Sequence, residues 1–267
     1  TTAYMVPTQF VRMLKLPEPI RTKYDLSSLH SVVHSAAPCP LQVKKDMMAW
    51  WGPVLWETYG GTEGPATIAK PHRWLEKPGT VGRPIRGVRV RILDDDGNDL
   101  PPNEIGNVYI ERLDGQSFEY RNDTELTRSV HRGNAFTIGD VGYLDDDGYL
   151  FICDRAKDMI ISGGVNIYPA EVEGVLAEHP AVGDVAVIGV PDPEWGEQVK
   201  AVVELVAEAT PSPELADELI AYCRSRLAGF KCPRSVDFSA KLPRNEAGKL
   251  IKRRLRDAYW AEAGRRV

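Results

Sequence analysis

Tyr59-Gly60-Gly61-Thr62-Glu63-Gly64 sets an aromatic ring, two adjacent glycines, a hydroxyl and a carboxylate along six consecutive residues. Without Cβ atoms, the two glycines let the backbone turn sharply and approach a ligand closely. Such a turn suits a nucleotide. A base can stack on Tyr59, Thr62 can meet a phosphate, and Glu63 can offer oxygen to Mg²⁺, which prefers hard ligands. The plain alternative is a strand-to-loop turn that needs small residues, and a hexapeptide alone does not choose between the two.

The flanking sequence reads as α/β. Residues 54–56 form a short apolar strand that delivers the hexapeptide at its carboxyl end. Before it, Pro40 opens a helix with Leu41, Lys44, Met48 and Trp51 along one side and Gly52 at its end. Residues 29–33 are a second buried strand, followed by Ser35-Ala36-Ala37-Pro38. Phe10, Val11 and Leu14 recur at helical spacing after Pro7, and Pro17 and Pro19 break the pattern. Ligands in sheets of this kind bind beyond the carboxyl ends of the strands.

From about Gly79 the texture changes to alternating strands, as in residues 88–92 and 108–110, with Asp96-Gly97 and Asp147-Gly148 as hairpin turns. The acidic turns 94–97 and 145–148 fail as calcium loops, because Ile92 and Tyr143 stand where an EF-hand needs its first acid. This middle region is expected to be a small antiparallel β unit. After Asp154-Arg155-Ala156-Lys157-Asp158 comes an α+β stretch. A helix opens at Pro169 and stops before Pro180, strands 185–190 and 200–206 pair around the loop 191–198, and an amphipathic helix carries Leu215, Leu219, Cys223 and Leu227 with Gly229 past its end. A short strand at 236–238 and a basic helix at 249–260 close the chain.

The 267 residues allow two ordinary domains, and 43% hydrophobic with 27% charged residues is the balance of a globular protein. A net charge of −5 gives no reason to expect nucleic acid as a partner. No apolar run approaches the roughly 20 residues of a transmembrane helix. The start, Thr1-Thr2-Ala3-Tyr4-Met5, has neither a signal-peptide pattern nor an initiating Met, and reads as cut from a longer chain. Cys39, Cys153, Cys223 and Cys232 form no C-x-x-C pair and have no His at zinc-finger spacing, so they read as small buried residues of a cytoplasmic, disulfide-free protein.

Four further polar positions invite two readings each. Asp140 is either a turn residue or an acceptor for the two hydroxyls of a ribose. Arg155 is a surface ion-pair partner or a second ribose and phosphate contact. Gly163-Gly164 is a turn or a place where a ligand passes close to backbone. Lys249, after Gly248, is a solvated helix start or a mobile point charge for a phosphate or carboxylate.

Taken in order, these segments resemble the carboxyl-terminal half of an acyl-CoA synthetase, of the adenylate-forming superfamily that includes luciferases and peptide-synthetase adenylation domains. The resemblance covers nearly the whole chain. Residues 35–38 match the adenine-binding segment, 59–63 the signature turn, and Thr137-Ile138-Gly139-Asp140 the ribose motif, with Ile138 departing from the usual Thr beside Gly. Residues 154–158 match the hinge motif, 162–171 the segment after it, and Pro243-Arg244-Asn245-Glu246-Ala247-Gly248-Lys249 the final lysine motif.

The resemblance implies a fold and a chemistry. Residues 1–156 would end a large α/β AMP-binding domain, with an α/β segment to about 78 and a small β-barrel-like subdomain over 79–156. Residues 157–267 would be a smaller, mobile α+β domain. The implied activity is a two-step ligation. A carboxylate, expected to be a fatty acid, attacks the α-phosphate of MgATP to give an acyl-adenylate, and CoA then displaces AMP. By the same resemblance, Tyr59 and the segment Ser35, Ala36, Ala37, Pro38 hold adenine, Gly60 and Gly61 belong to the nucleotide site, and Asp140 and Arg155 hold ribose. Thr62 meets the α-phosphate, Glu63 places Mg²⁺, and Lys249 stabilises charge developing at the reacting centre. Lys157 is the hinge, and Gly163-Gly164 borders the CoA path. The family's Ser/Thr/Gly-rich phosphate loop lies upstream and is not in this sequence. The chain is therefore expected to need the missing amino-terminal half of the same enzyme and to be inactive alone. Two alternatives stand beside this: a catalytically silent nucleotide-binding fragment, and an adenylation domain serving a carrier protein. The second ranks lower because only a short basic tail follows Trp260.

Overall fold

The computed structural model describes residues 1–245 and 249–262. The chain divides into two compact units, Thr1–Ala156 and the stretch from Lys157 onward.

The first unit begins with a five-stranded sheet in the order β1 (Thr2–Met5), β2 (Ser31–His34), β3 (Leu55–Gly61), β4 (Gly64–Ala69) and β5 (Arg83–Pro84). β1, β2 and β3 run parallel, and β4 and β5 return antiparallel. The helices are α1 (Pro7–Leu14), a single turn α2 (Glu18–Arg21), α3 (Leu41–Trp51) and α4 (Pro71–Glu76). Phe10, Val32, Met47, Leu55 and Trp74 are fully or almost fully buried in the core they share with the sheet. The α1 pattern ends before Pro17 and Pro19 as expected, and Pro19 sits in the first turn of the separate α2, where no backbone N–H is needed. Two expectations shift. The second strand is displaced to Ser31–His34. On α3 the buried side is Lys44, Met47 and Met48, while Leu41 is exposed.

The middle region is a curled half-barrel of antiparallel strands, ordered β10-β9-β7-β6 with β8 on β9. Its members are β6 (Val88–Leu93), β7 (Gly106–Arg112), β8 (His131–Arg132), β9 (Ala135–Leu144) and β10 (Leu150–Arg155). Alternation places Val90, Ile92, Val108, Ile110, Phe136 and Leu150 on its buried side. Helix α5 (Thr124–Val130) is capped by Asp123, whose side chain accepts from the Leu126 N–H. The acidic turn before β10 serves packing: Lys77 Nζ lies 2.6 Å from Asp145 and 2.5 Å from Asp147.

In the second unit, β11 (Ile160–Ser162), β12 (Val165–Ile167), β13 (Val182–Asp192), β14 (Gly196–Leu205) and β15 (Ser235–Phe238) form one sheet. Both faces of β13 and β14 are covered. Val185, Val187, Val199, Ala201 and Val203 pack with α6 (Pro169–Leu176) and α7 (Pro213–Arg224). Ala186, Ile188, Val190 and Val202 pack on the other face with Leu255 and Tyr259 of α8 (Lys252–Glu262). The loop expected over 191–198 is only the turn between Asp192 and Gly196, closed by Asp192 Oδ1 accepting from the Glu194 and Trp195 N–H groups. Helix α7 stops at Arg224, so Leu227 lies beyond it and Gly229 opens a separate 3₁₀ turn rather than ending the helix. Helix α8 starts at Lys252, three residues later than expected.

Candidate functional site

β3 does not end before the glycines. It continues through Tyr59, Gly60 and Gly61 and returns as β4, with Gly61 opposite Gly64. The hexapeptide is therefore the tip of a β-hairpin rather than a strand-to-loop turn. Gly60 has φ 151°, and a Cβ there would lie 2.6 Å from the Gly64 carbonyl oxygen, so a side chain would break the hairpin.

The hairpin brings Tyr59 to the half-barrel. The Tyr59 hydroxyl donates to Asp140 Oδ2 at 2.7 Å. Arg155 Nε lies 2.8 Å from Asp140 Oδ1, the two residues being register partners across β9 and β10. Arg155 Nη1 also donates to the Ile138 carbonyl at 3.2 Å. Asp140 is 4% exposed, so both bonds act in a poorly solvated setting where ionic hydrogen bonds are strong. Burial, and then the charge and hydrogen bond of Asp140, push the Tyr59 hydroxyl far above its ordinary range and keep it a donor. Ile138, the departure from the ribose motif, packs against the same core cluster as Tyr59.

Thr62 is exposed and Glu63 half-buried at the turn. Tyr120 donates to Glu63 Oε1 at 2.7 Å, and Thr62 Oγ1 to Oε2 at 3.2 Å. Burial pushes the Glu63 carboxyl up, but the bonds from Tyr120, its own N–H and Thr62, with the Arg155 charge, outweigh it and leave the pKa below the ordinary value. Burial and then Glu63 push Tyr120 up to about 12. Tyr120 escaped the sequence reading because it lies 57 residues from its partner, in a loop with no local pattern.

The segment after β2 is tied to the same strand. Ser35 Oγ donates to the Thr58 carbonyl at 2.8 Å, one residue before Tyr59. Ala36 has φ 73°, an uncommon conformation for a residue with a Cβ, and Ala36 and Pro38 are exposed. Two residues before Tyr59 on the same strand, Glu57 meets a group that is fully buried. Lys44 Nζ lies 2.5 Å from Glu57 Oε2 and 4.6 Å from the Trp74 ring centroid, and His34 Nε2 lies 3.7 Å from the same oxygen. Neither His34 nitrogen has a hydrogen-bond partner among the described residues. Burial, then the Lys44 charge, push His34 down to about 3, so it is neutral.

The other candidate residues belong to the second unit. Lys157 is exposed in the 3₁₀ turn Ala156–Asp158. Gly163 and Gly164 turn the chain between β11 and β12. Gly163 has φ 58°, its N–H donates to the Trp195 carbonyl at 2.9 Å, and a Cβ would lie 2.4 Å from the Trp195 ring. Beside it is a cavity of about 180 Å³ lined by Gly163, Trp195, Phe230, Cys232 and Arg234 among others. The Arg234 guanidinium lies 5.5 Å from the Trp195 ring centroid and 3.8 Å from Asp192. In the sequence Trp195 falls in the loop expected over 191–198, and nothing local marks Phe230 or Arg234 as neighbours of Gly163. Lys249 is exposed; its N–H donates to Asn245 Oδ1 at 2.8 Å and its carbonyl accepts from the Asn245 N–H at 2.9 Å. Glu246, Ala247 and Gly248 of the lysine motif lie outside the described residues.

Comparison with known proteins identifies the family. Residues 1–113 match the AMP-binding enzyme family model, and residues 171–249 match the AMP-binding enzyme C-terminal domain. Asp140, Arg155, Lys157, Gly163 and Gly164 fall between the two matches. The chain is 35% identical over its whole length to fatty acid–[acyl-carrier-protein] ligase ScoC of Streptomyces coeruleorubidus, covering 51% of that protein. It is 39% identical to a long-chain-fatty-acid–CoA ligase of Bacillus subtilis (strain 168), over 93% of this chain and 44% of the relative. Among solved structures, amide bond synthetase McbA from Marinactinospora thermotolerans aligns with TM-score 0.86 and 36% identity, over 96% of this chain and 52% of its own. The chain thus spans about half the length of the curated relatives it matches. Matched by both models in their natural order, the chain belongs to the AMP-binding, adenylate-forming enzymes.

Proposed function

We propose that this chain is the carboxyl-terminal part of an ATP-dependent, AMP-forming acid–thiol ligase. It activates a carboxylic acid, a fatty acid in the reading favoured here, to an acyl-adenylate and passes the acyl group to CoA. The observation that carries this reading is the Tyr59–Asp140–Arg155 assembly. A carboxylate can accept from about four donors. The Tyr59 and Arg155 bonds fix its direction and charge without by themselves using up that capacity, which suits two ribose hydroxyls. The Tyr59 ring and the Ser35-Ala36-Ala37-Pro38 segment, bonded through Thr58, would then flank adenine.

At the turn, Thr62 would meet the α-phosphate. A single carboxylate supplied by the protein, with the remaining ligands from phosphates and water, is a common Mg²⁺ arrangement, and Glu63, kept ionised by Tyr120, fits it. When bound, Mg²⁺ supplies positive charge that offsets the charge of the phosphates. Lys249 would stabilise charge growing between the attacking carboxylate and the α-phosphate. Lys157 would be the pivot on which the second unit turns between the two steps. The cavity beside Gly163 is too small for a nucleotide and would take only a slender thiol arm, with Trp195 and Phe230 as its apolar walls. ATP, Mg²⁺ and CoA, with the amino-terminal half and its phosphate loop, are thus the partners this reading requires. A carrier-protein thiol in place of CoA is the second reading, favoured by the match to a fatty acid–[acyl-carrier-protein] ligase along the whole chain.

Isothermal titration of this chain with AMP, ATP and CoA tests the nucleotide site. AMP is expected to bind, and Asp140→Ala to weaken it by at least about tenfold, the equivalent of one lost ionic hydrogen bond. AMP binding indifferent to Asp140→Ala would refute the ribose role. With the amino-terminal half joined to it, thioester formation from free acid, ATP and CoA that survives Lys249→Ala would refute the lysine's role.

A further inference from the structure

The helix that follows Lys249 reaches back to the start of its own unit. Arg256, on α8, donates from Nη1 to the backbone carbonyl of Lys157 at 2.9 Å. Its Nη2 lies 3.5 Å from Glu197 Oε1 on β14, and both side chains are largely buried, 15% and 17% exposed. The other Glu197 oxygen accepts from the Ile161 N–H on β11 at 3.1 Å. The guanidinium carbon lies 5.9 Å from the ring centroid of Trp260, whose Nε1 donates to the Gly189 carbonyl on β13 at 3.1 Å. The amino end of α8 is held separately, Lys252 Nζ lying 2.7 Å from Glu173 on α6. Arg256 is therefore seated in the sheet of the second unit, and one arm of its fork is committed to a main-chain atom at the unit boundary.

We infer that Arg256 is a positioning residue that sets where the swing of the second unit begins. The inference rests on the hinge reading of Lys157. The Lys157 carbonyl belongs to the rigid peptide plane that also carries the Asp158 nitrogen. Fastened to Arg256, that plane moves with the second unit. Rotation then falls on the torsions of Lys157 itself and of residues before it, and the torsions of Asp158 stay fixed. An arginine suits this task because its planar fork serves two acceptors at once with little further ordering. The same helix follows Lys249 in sequence, so the clamp also holds the lysine-bearing segment in register with the pivot. A helix-surface ion pair without this role would stabilise the second unit and leave the freedom of the junction unchanged.

Pulsed dipolar spectroscopy on the full 267-residue chain separates the two. Spin labels go on the exposed sites Glu104→Cys and Glu208→Cys, in a background of Cys39→Ala, Cys153→Ala, Cys223→Ala and Cys232→Ala. Releasing Asp158 adds two free torsions to those already available at Lys157 and before it, so Arg256→Ala should widen the distance distribution between the labels by a factor of up to about 1.4, the square root of the doubling reached when Lys157 alone is mobile in the parent. Arg256→Lys keeps one donor and should fall between. Glu197→Gln keeps an acceptor for Ile161 but loosens the guanidinium, and should also widen the distribution; it decides the matter, with Arg256→Lys, if Arg256→Ala unfolds the second unit. Unchanged widths in these variants overturn the inference. Lys157→Pro tests the hinge reading independently, since it locks φ at residue 157 and should narrow the distribution. No narrowing there defeats the hinge; narrowing there with no effect at Arg256 defeats only the clamp.

Discussion

Replacing Lys44 with methionine removes one half of a buried ion pair and leaves the other half in place. Lys44 is 0% exposed, Glu57 is 8% exposed, and their charged atoms are 2.5 Å apart under the Trp74 ring. Removing one partner of such a pair strands the other charge and costs roughly 3–5 kcal/mol, a large share of the roughly 5–15 kcal/mol that holds a domain folded. Lys44→Met should therefore lose about 3–5 kcal/mol. Lys44→Met with Glu57→Leu should recover to within about 1 kcal/mol of the parent, because two well-packed apolar groups need no partner. The penalty is also pH-dependent. Burial raises the Glu57 pKa and Lys44 lowers it, so without Lys44 the folded-state value rises further above the unfolded value. A raised acid holds its proton in the folded state where the unfolded chain has lost it. The penalty is thus fully present above the raised pKa and shrinks as pH falls toward the unfolded one. Urea unfolding followed by tryptophan fluorescence measures this, since Trp50, Trp51, Trp56 and Trp74 all lie in the first unit. A single-variant loss below about 1 kcal/mol, or a double variant no better than the single, would refute the reasoning.

His34 makes stability fall with acid. Its folded pKa of about 3 lies below the unfolded value of 6.5, so the unfolded chain binds the extra proton between them, and this one group should cost about 2 kcal/mol between pH 8 and pH 5. Denaturation midpoints against pH should flatten in His34→Gln; parallel curves would exclude the effect. Tyr59→Phe removes the donor to Asp140 and should cost about 1.5–3 kcal/mol by urea unfolding, because the acceptor is charged and buried. An unchanged midpoint would mean the bond contributes nothing. Gly163→Ala drives a Cβ against Trp195 and should shift the intrinsic fluorescence of that residue while weakening CoA in a titration. CoA affinity equal to the parent's would remove the Gly163 cavity from consideration.

The sequence was most informative where chemistry is carried by local order. The strand and glycine pair at 55–61 announce a tight turn, and the alternating residues after Gly79 announce an antiparallel sheet. What stayed hidden was long-range. Tyr120 supports Glu63 from 57 residues away, and Arg256 meets the Lys157 carbonyl across 99 residues; neither pairing leaves a periodic trace. Lys44 looked like one more member of an amphipathic face, because its acceptor, Glu57, sits on a different element. Boundaries moved where a side chain intervened. Asp192 Oδ1 shortened the loop after β13, and Asn245 folded the chain around Lys249 before α8 could start.

The Tyr59–Asp140 bond also has a consequence in time. Its partners are 81 residues apart, so the hairpin tip cannot find its acceptor until that much more chain has been made. At about 5–20 residues per second, the interval during synthesis is roughly 4–16 s. Sheet strands β1 to β3 can pair during that interval, but the Tyr59 ring has only part of the half-barrel to pack against, since Phe136 and Ile138 come only just before Asp140. The first unit thus completes the corner where Tyr59 meets Asp140 late, with an aromatic tip waiting on the ribosome for a strand not yet translated.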